Sequence, residues 1–216
     1  MPYIKISDKD IYYETHGKNN DNTLVYFHGG PGASCLDFAA QAKELSSKLK
    51  VVIFDQYGVL RSERIMEDEA YGMDIQVKMV EEMREKLCID KWSVLGHSYG
   101  GMLACLYTHT YPSTVNKLIL DCPSLDFIDS SKSVAYYLSD YISKSGNNEA
   151  KALLQKIKTA DYNDKTVFFD LMSLLEHIED MQLRSYLHGI TFEKYAKNVY
   201  TCLLYTSPSP RDRTRS

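Results

Sequence analysis

The sequence predicts an α/β fold, a mostly parallel sheet with a helical cap. Short apolar runs alternate with helix-period segments from residue 24 to residue 121, the pattern of strands joined by helical crossovers. After Pro123 the patterning is helical throughout and no run reads as a strand. The composition, 44% hydrophobic and 25% charged over 216 residues, suits one domain, or one domain with an insertion, around a buried core.

The elements follow in order. Residues 4–6 and 11–14 are β-rich and flank the turn-rich Ser7-Asp8-Lys9-Asp10, which predicts a hairpin. Residues 17–22 form a polar loop. Leu24-Val25-Tyr26-Phe27 is a continuous apolar run ending in glycines, a buried strand breaking into a tight loop. Residues 36–49 read as helix, and Val51-Val52-Ile53-Phe54 as a second buried strand closed by Asp55. Ile75, Met79, Met83 and Leu87 recur at i, i+4, so residues 74–87 make a helix with one buried stripe and Asp74 as N-cap. Residues 92–95 are a strand, 99–111 a helix stopped by Pro112, and 115–120 another strand. Beyond these, residues 131–144, 149–159, 165–183 and 192–200 are helical. The expected domains are 1–123, the first part of the core; 124–201, a partial helical cap; and 202–216, a non-native or disordered tail. The stretch from Cys202 to Asp212 resembles the translation of a sequencing-library adapter, and is set aside from fold reasoning.

Charge and cysteine usage narrow the function classes. A formal net charge of −4 argues against general nucleic-acid binding. No stretch approaches the ~18 apolar residues of a membrane span, and the N-terminus lacks the apolar core of a signal peptide. A cytoplasmic protein is the expectation. Cys35, Cys88, Cys105, Cys122 and Cys202 are scattered without a C-x-x-C pair, which suggests reduced, mostly buried thiols rather than a zinc site or disulfide framework.

Two motifs carry chemistry. Gly96-His97-Ser98-Tyr99-Gly100-Gly101 fits G-x-S-x-G, follows a predicted strand and opens a predicted helix, as a nucleophile elbow requires. Ser98 is the candidate nucleophile. Side chains at 96 and 100 would collide with neighbouring backbone, and the helix N-terminus favours negative charge developing beside Ser98. His28-Gly29-Gly30-Pro31-Gly32 follows the Leu24 strand. Acyl transfer produces an oxyanion that needs aimed N–H donors. The Gly30 and Tyr99 amides are the candidates.

H-G-G-P-G, then Asp55-Gln56-Tyr57-Gly58 with Arg61-Ser62, then L-G-H-S-Y-G-G at 95–101, resemble the proline iminopeptidase family of α/β-hydrolases. The likeness runs from about residue 3 to 123, and loosely through the cap. It implies an α/β-hydrolase fold and hydrolysis of an N-terminal residue, often proline, from short peptides through an acyl-enzyme, with no metal or cofactor. The family usually reads D-Q-x-G-x-G-x-S, whereas this chain has Leu60 at the second glycine. An esterase or amidase acting on non-peptide substrates, and a catalytically inactive hydrolase-like fragment, are the alternatives.

A serine nucleophile needs a base and an orienting acid, in the chain order Ser, Asp or Glu, His. His177 and His188 fall in cap segments, His109 lies on the helix after the elbow, His97 and His28 read as packing residues, and His16 belongs to the N-terminal turn region. The base is therefore expected outside the chain, along with the C-terminal core strands that would follow the cap, since each strand–helix unit takes about 30 residues. Asp55 precedes Ser98 and reads as a loop-fixing residue braced by Arg61. The cap carboxylates Glu149, Asp164, Asp170, Glu176, Glu179, Asp180 and Glu193 read as solvated helix faces rather than as partners for a substrate ammonium. Residues 197–200 resemble the stretch that precedes an amine-binding Glu in the family.

Overall fold

The computed structural model describes residues 2–18, 22–30, 33–66, 68–162 and 166–177. The chain divides into two compact units, with the break between Leu125 and Asp126.

The first unit is built on a six-stranded sheet. β1 (Tyr3–Ile6) and β2 (Lys9–His16) form the predicted hairpin, with Tyr3 opposite Tyr12 and Ile6 opposite Lys9. Its loop is only Ser7-Asp8, both at positive φ (47° and 65°), so Lys9 and Asp10 belong to the strand rather than to the turn. Two left-handed residues give the turn a twist that matches the strands. β3 (Thr23–Phe27), β4 (Lys50–Phe54), β5 (Trp92–His97) and β6 (Val115–Asp121) complete the order β1-β2-β4-β3-β5-β6. β2 runs antiparallel to β4, and the pairs β3–β4, β3–β5 and β5–β6 are parallel.

The apolar runs of β3 and β4 are continuous because both faces are covered. Leu24, Tyr26, Val51 and Ile53 pack on one side with Cys35 and Ala42. Val25, Phe27, Val52 and Phe54 pack on the other with Val77, Met83 and Leu103. The first side is covered by a 3₁₀ turn, Cys35–Phe38, and α1 (Ala39–Leu45). The single helix expected over 36–49 is thus split and ends early. Ser34 caps the 3₁₀ turn, accepting from the Leu36 amide, and Ser46 ends α1.

The second side is covered by α2 (Met73–Lys86) and α3 (Tyr99–Thr110). The stripe of α2 is wider than i, i+4 spacing indicates, with Gln76, Val77 and Val80 buried beside Met79 and Met83. Asp74 is not its N-cap. Gly72 takes that position with extended backbone and no side-chain cap, and Asp74 lies inside the first turn, where its charge still favours the helix dipole. Trp92 is fully buried, and its indole N–H donates to Tyr107, whose hydroxyl donates to Glu81 at 2.6 Å. The thiols are less buried than expected: Cys35 is buried, but Cys88 and Cys122 are exposed, each at positive φ in a connection.

The second unit contains α4 (Phe127–Lys144), α5 (Asn148–Thr159) and α6 (Thr166–Glu176) around a core including Leu138, Ile142, Leu154, Ile157, Leu171 and Leu174. Asp126 and Asn147 cap α4 and α5, accepting from the amides three residues on. The helix expected over 192–200 and the tail from Cys202 lie outside the described residues.

Candidate active site

Ser98 sits between the end of β5 and the start of α3 with φ 52° and ψ −118°. Backbone there is sparsely populated for a non-glycine residue and costs about 1–3 kcal/mol. It persists because hydrogen bonds hold it from both sides. The Ser98 amide donates to Asp121 O at 3.1 Å, and Ser98 O accepts from the amides of Gly101 (2.9 Å) and Ser124 (3.1 Å).

The flanking glycines are required by close approach. A Cβ at Gly100 would lie 2.1 Å from Phe27 O and 2.6 Å from His28 O; one at Gly96 would lie 2.5 Å from Gly100 O and 2.7 Å from Ala104 Cβ. The helix start is therefore pressed directly onto the end of β3. The glycine loop that leaves β3 meets the elbow: a Cβ at Gly29 would come within 3.3 Å of Ser98 Cβ and 3.1 Å of His97 Cδ2. Gly30 is exposed at φ 128°, open only to glycine. Tyr99 is the first residue of α3, so its N–H has no partner within the helix. Pro31 and Gly32 lie outside the described residues.

His28 anchors this loop. It is fully buried, its Nδ1 lies 2.8 Å from Gly29 O, and its Nε2 accepts from the Gln56 amide at 3.0 Å. Because Nε2 accepts, Nδ1 must carry the proton and donate to Gly29. Burial lowers the His28 pKa and favours this neutral form. The Gln56 side chain donates in turn to His28 O at 2.9 Å.

Asp55 is fully buried and fixes the next loop. Its Oδ1 accepts from Ser34 Oγ (2.7 Å), the Cys35 amide (3.1 Å) and Arg61 Nη2 (3.1 Å), while Oδ2 accepts from Arg61 Nε at 2.6 Å. Burial pushes its carboxyl up, but the hydrogen bond and charge of Arg61, with Ser34 and Cys35, hold it below the ordinary aspartate value. Arg61 also lies 3.6 Å over the Tyr12 ring. Leu60 within this loop adopts φ 44°, which is the physical reason for a glycine at that place in the motif.

One pairing is not visible in the sequence. His97 Nδ1 lies 3.0 Å from Asp121 Oδ2. The end of β6 thus holds the elbow twice, through its backbone at Ser98 and its carboxylate at His97. Parallel pairing of β5 with β6, which places His97 opposite Asp121, creates the contact.

Among the described residues Ser98 Oγ has no hydrogen-bonded base. His16 pairs with Glu14 at 3.0 Å, and His109 is exposed in the last turn of α3. His177 follows α6 in the second unit, its amide bonded to Leu174 O, and His188 lies outside the described residues. Of the cap carboxylates, Asp170 is not simply solvated: Lys156 pairs with it at 2.7 Å, joining α5 to α6. Asp164, Glu179, Asp180 and Glu193, the Glu176 side chain and residues 197–200 lie outside the described residues. Among the described residues no three His, Cys, Asp or Glu side chains converge as a metal site would require.

A strained serine between strand and helix, with a glycine loop from the neighbouring strand against it, is the geometry of a nucleophile elbow, and the family described as alpha/beta hydrolase fold matches residues 22–210. The chain belongs to the α/β-hydrolase fold family. Among curated proteins, this α/β-hydrolase is similar to the proline iminopeptidase of Heyndrickxia coagulans, 32% identical over 124 residues, 57% of this chain and 43% of that protein. It is also similar to the proline iminopeptidase of Clostridioides difficile strain 630, 30% identical over 166 residues, 76% of this chain and 55% of the other. The chain thus spans about half the length of these relatives. Among solved structures, proline iminopeptidase from Mycobacterium smegmatis superposes with TM-score 0.66 at 20% identity, covering 94% of this chain and 67% of that one. An epoxide hydrolase from Bacillus megaterium, in complex with an inhibitor, gives 0.60 at 19%, covering 91% and 65%. At such identities the likeness concerns the fold alone.

Proposed function

We propose that this α/β-hydrolase is a serine peptidase that removes N-terminal residues, proline among them, from short peptides. The observation that carries the reading is the approach of Gly29 to Ser98 at the strained elbow, which supports a glycine loop working together with the start of α3. The similarity to proline iminopeptidases supplies the substrate class.

Ser98 Oγ attacks the carbonyl carbon of the first residue, and its proton passes to a base. The carbonyl oxygen becomes negative between the Gly30 and Tyr99 amides, strengthened by the positive end of α3. As the C–N bond breaks, the shortened peptide leaves with that proton on its new amine. Water then hydrolyses the acyl ester on Ser98. The base and its orienting acid come from outside the described residues. Asp55 does not serve as that acid, because Arg61, Ser34 and the Cys35 amide occupy its carboxylate.

The test uses the protein expressed from its full reading frame. A fluorophosphonate probe labels Ser98, and labelling is lost in Ser98→Ala. Gly30→Ala, which cannot hold φ 128°, lowers turnover of a prolyl-anilide substrate about 10²–10³-fold, the usual effect of losing one oxyanion donor, with the circular dichroism spectrum unchanged. Turnover of acyl esters alone, insensitive to blocking the substrate amine, would replace this reading with that of an esterase.

A further inference from the structure

Behind the elbow, between the sheet and α2, is a cavity of about 20 Å³, room for one water molecule and little more. Its wall is largely apolar, with Phe27, Phe54, Met79 and Met83, and Gln56 and Gln76 are also among its lining residues. These residues are 2% and 4% exposed. Each uses its Nε2 elsewhere: Gln56 donates to His28 O at 2.9 Å, and Gln76 donates to Tyr99 OH at 3.0 Å. Both Oε1 atoms are buried, and neither has a hydrogen-bond partner among the described residues. A buried carbonyl oxygen without a donor is destabilising, so two such oxygens on residues that line one cavity point to a shared donor.

We propose that this cavity is the binding site of one structural water, which donates its two protons to Gln56 Oε1 and Gln76 Oε1. The chemistry selects water over other small occupants. A cation would be stranded among phenylalanine and methionine side chains with no buried anion on the cavity wall. The volume excludes an organic amine of substrate size. If the Gln76 amide is turned, its Oε1 accepts from Tyr99 OH and its Nε2 faces the cavity; a water serves this arrangement equally, accepting from one amide and donating to the other.

The water makes a positioning link. His28 carries the glycine loop and is held by Gln56; Tyr99 opens α3 and is held by Gln76. The path His28–Gln56–water–Gln76–Tyr99 joins the two segments that carry the proposed oxyanion donors. The assignment does not depend on Ser98 acting as a nucleophile.

A crystal structure resolving ordered solvent, together with ¹⁷O relaxation dispersion on the same chain, tests it. One isolated density peak at about 2.7–3.2 Å from both amides is expected, along with one long-lived water signal that is retained in Ser98→Ala. Gln76→Met, which fills the space with an unbranched apolar chain, loses both peak and signal. Val80→Leu crowds the same cavity while leaving both amides in place, and is expected to lose them too if Gln76→Met does not fold. A cavity without density while both glutamines keep their bonds, amides rotated to pair with each other, or density larger than one water would each overturn the proposal.

Discussion

Two ionisable side chains, His28 buried and Asp37 half-buried, set opposing pH responses near the elbow. Burial pushes the Asp37 carboxyl up to about 6, although the Tyr26 hydroxyl donates to its Oδ2 at 3.1 Å. An acid with a raised folded pKa destabilises the fold when charged, so stability rises as pH falls from about 6 towards the ordinary value. His28, lowered by burial, acts the other way: its contribution is complete above the ordinary histidine value and declines as pH drops below it. Asp37→Asn should therefore be more stable than the parent at pH 7 by ~2 kcal/mol, with the gap closing by about pH 4. Urea unfolding across this range measures it, and a pH-independent gap would count against the raised pKa. Leu60 supplies a second test at this scale. At φ 44° a Cβ is penalised, so Leu60→Gly should exceed Leu60→Ala in stability by about 1 kcal/mol in thermal melts, the reverse of their order in a helix. Both variants lack the leucine side chain, so the comparison isolates the backbone.

The elbow depends on contact between elements. Gly100 lets α3 touch the end of β3, while Asp121 at the end of β6 and Ser124 beyond it hold Ser98 by its backbone. A methyl group at 100 would strike two backbone carbonyl oxygens, one on the last residue of the central strand β3 and one on His28 just beyond it. Gly100→Ala should cost about 3 kcal/mol or more and abolish probe labelling at Ser98 even where the protein still folds at low temperature. Unchanged labelling with an unchanged melting temperature would show that α3 is not seated as described. The sequence marked this arrangement through local chemistry, since G-x-S-x-G between an apolar run and a helix has few backbone solutions. It did not mark the His97–Asp121 pair, because 24 residues separate the partners and only the β5–β6 register brings them together.

Across the molecule, the described sheet ends at β6, and Leu118, Ile119 and Leu120 are 37–44% exposed. Neighbouring residues of a strand point to opposite faces, so among the described residues this edge shows apolar surface on both sides. Such edges pair with other chains. The 216-residue chain should self-associate as concentration rises, and Ile119→Lys should reduce this, measured by light scattering; equal association in both would place the contact elsewhere. No helix among the described residues is long and apolar enough to cross a membrane. The second unit keeps its own helical core, so substitutions there, such as Leu154→Ala, are a separate stability question from the elbow.

Local backbone demands were legible from residue order alone: two-sided apolar runs for β3 and β4, glycines where chains touch, a serine at a forced turn, and the proline iminopeptidase likeness that these motifs carry. Helix limits were less so, since Gly72 rather than Asp74 begins α2 and the stretch after Ser34 breaks into two pieces; capping competes with packing over a few residues, and composition does not decide between them. The tertiary structure alone settled the strand order, the seating of Gly29 on Ser98, the neutral tautomer of His28 and the clamp from Asp121. Each of these joins groups far apart in the chain. Their meeting depends on how a twisted sheet stacks its strands, which no local sequence pattern encodes.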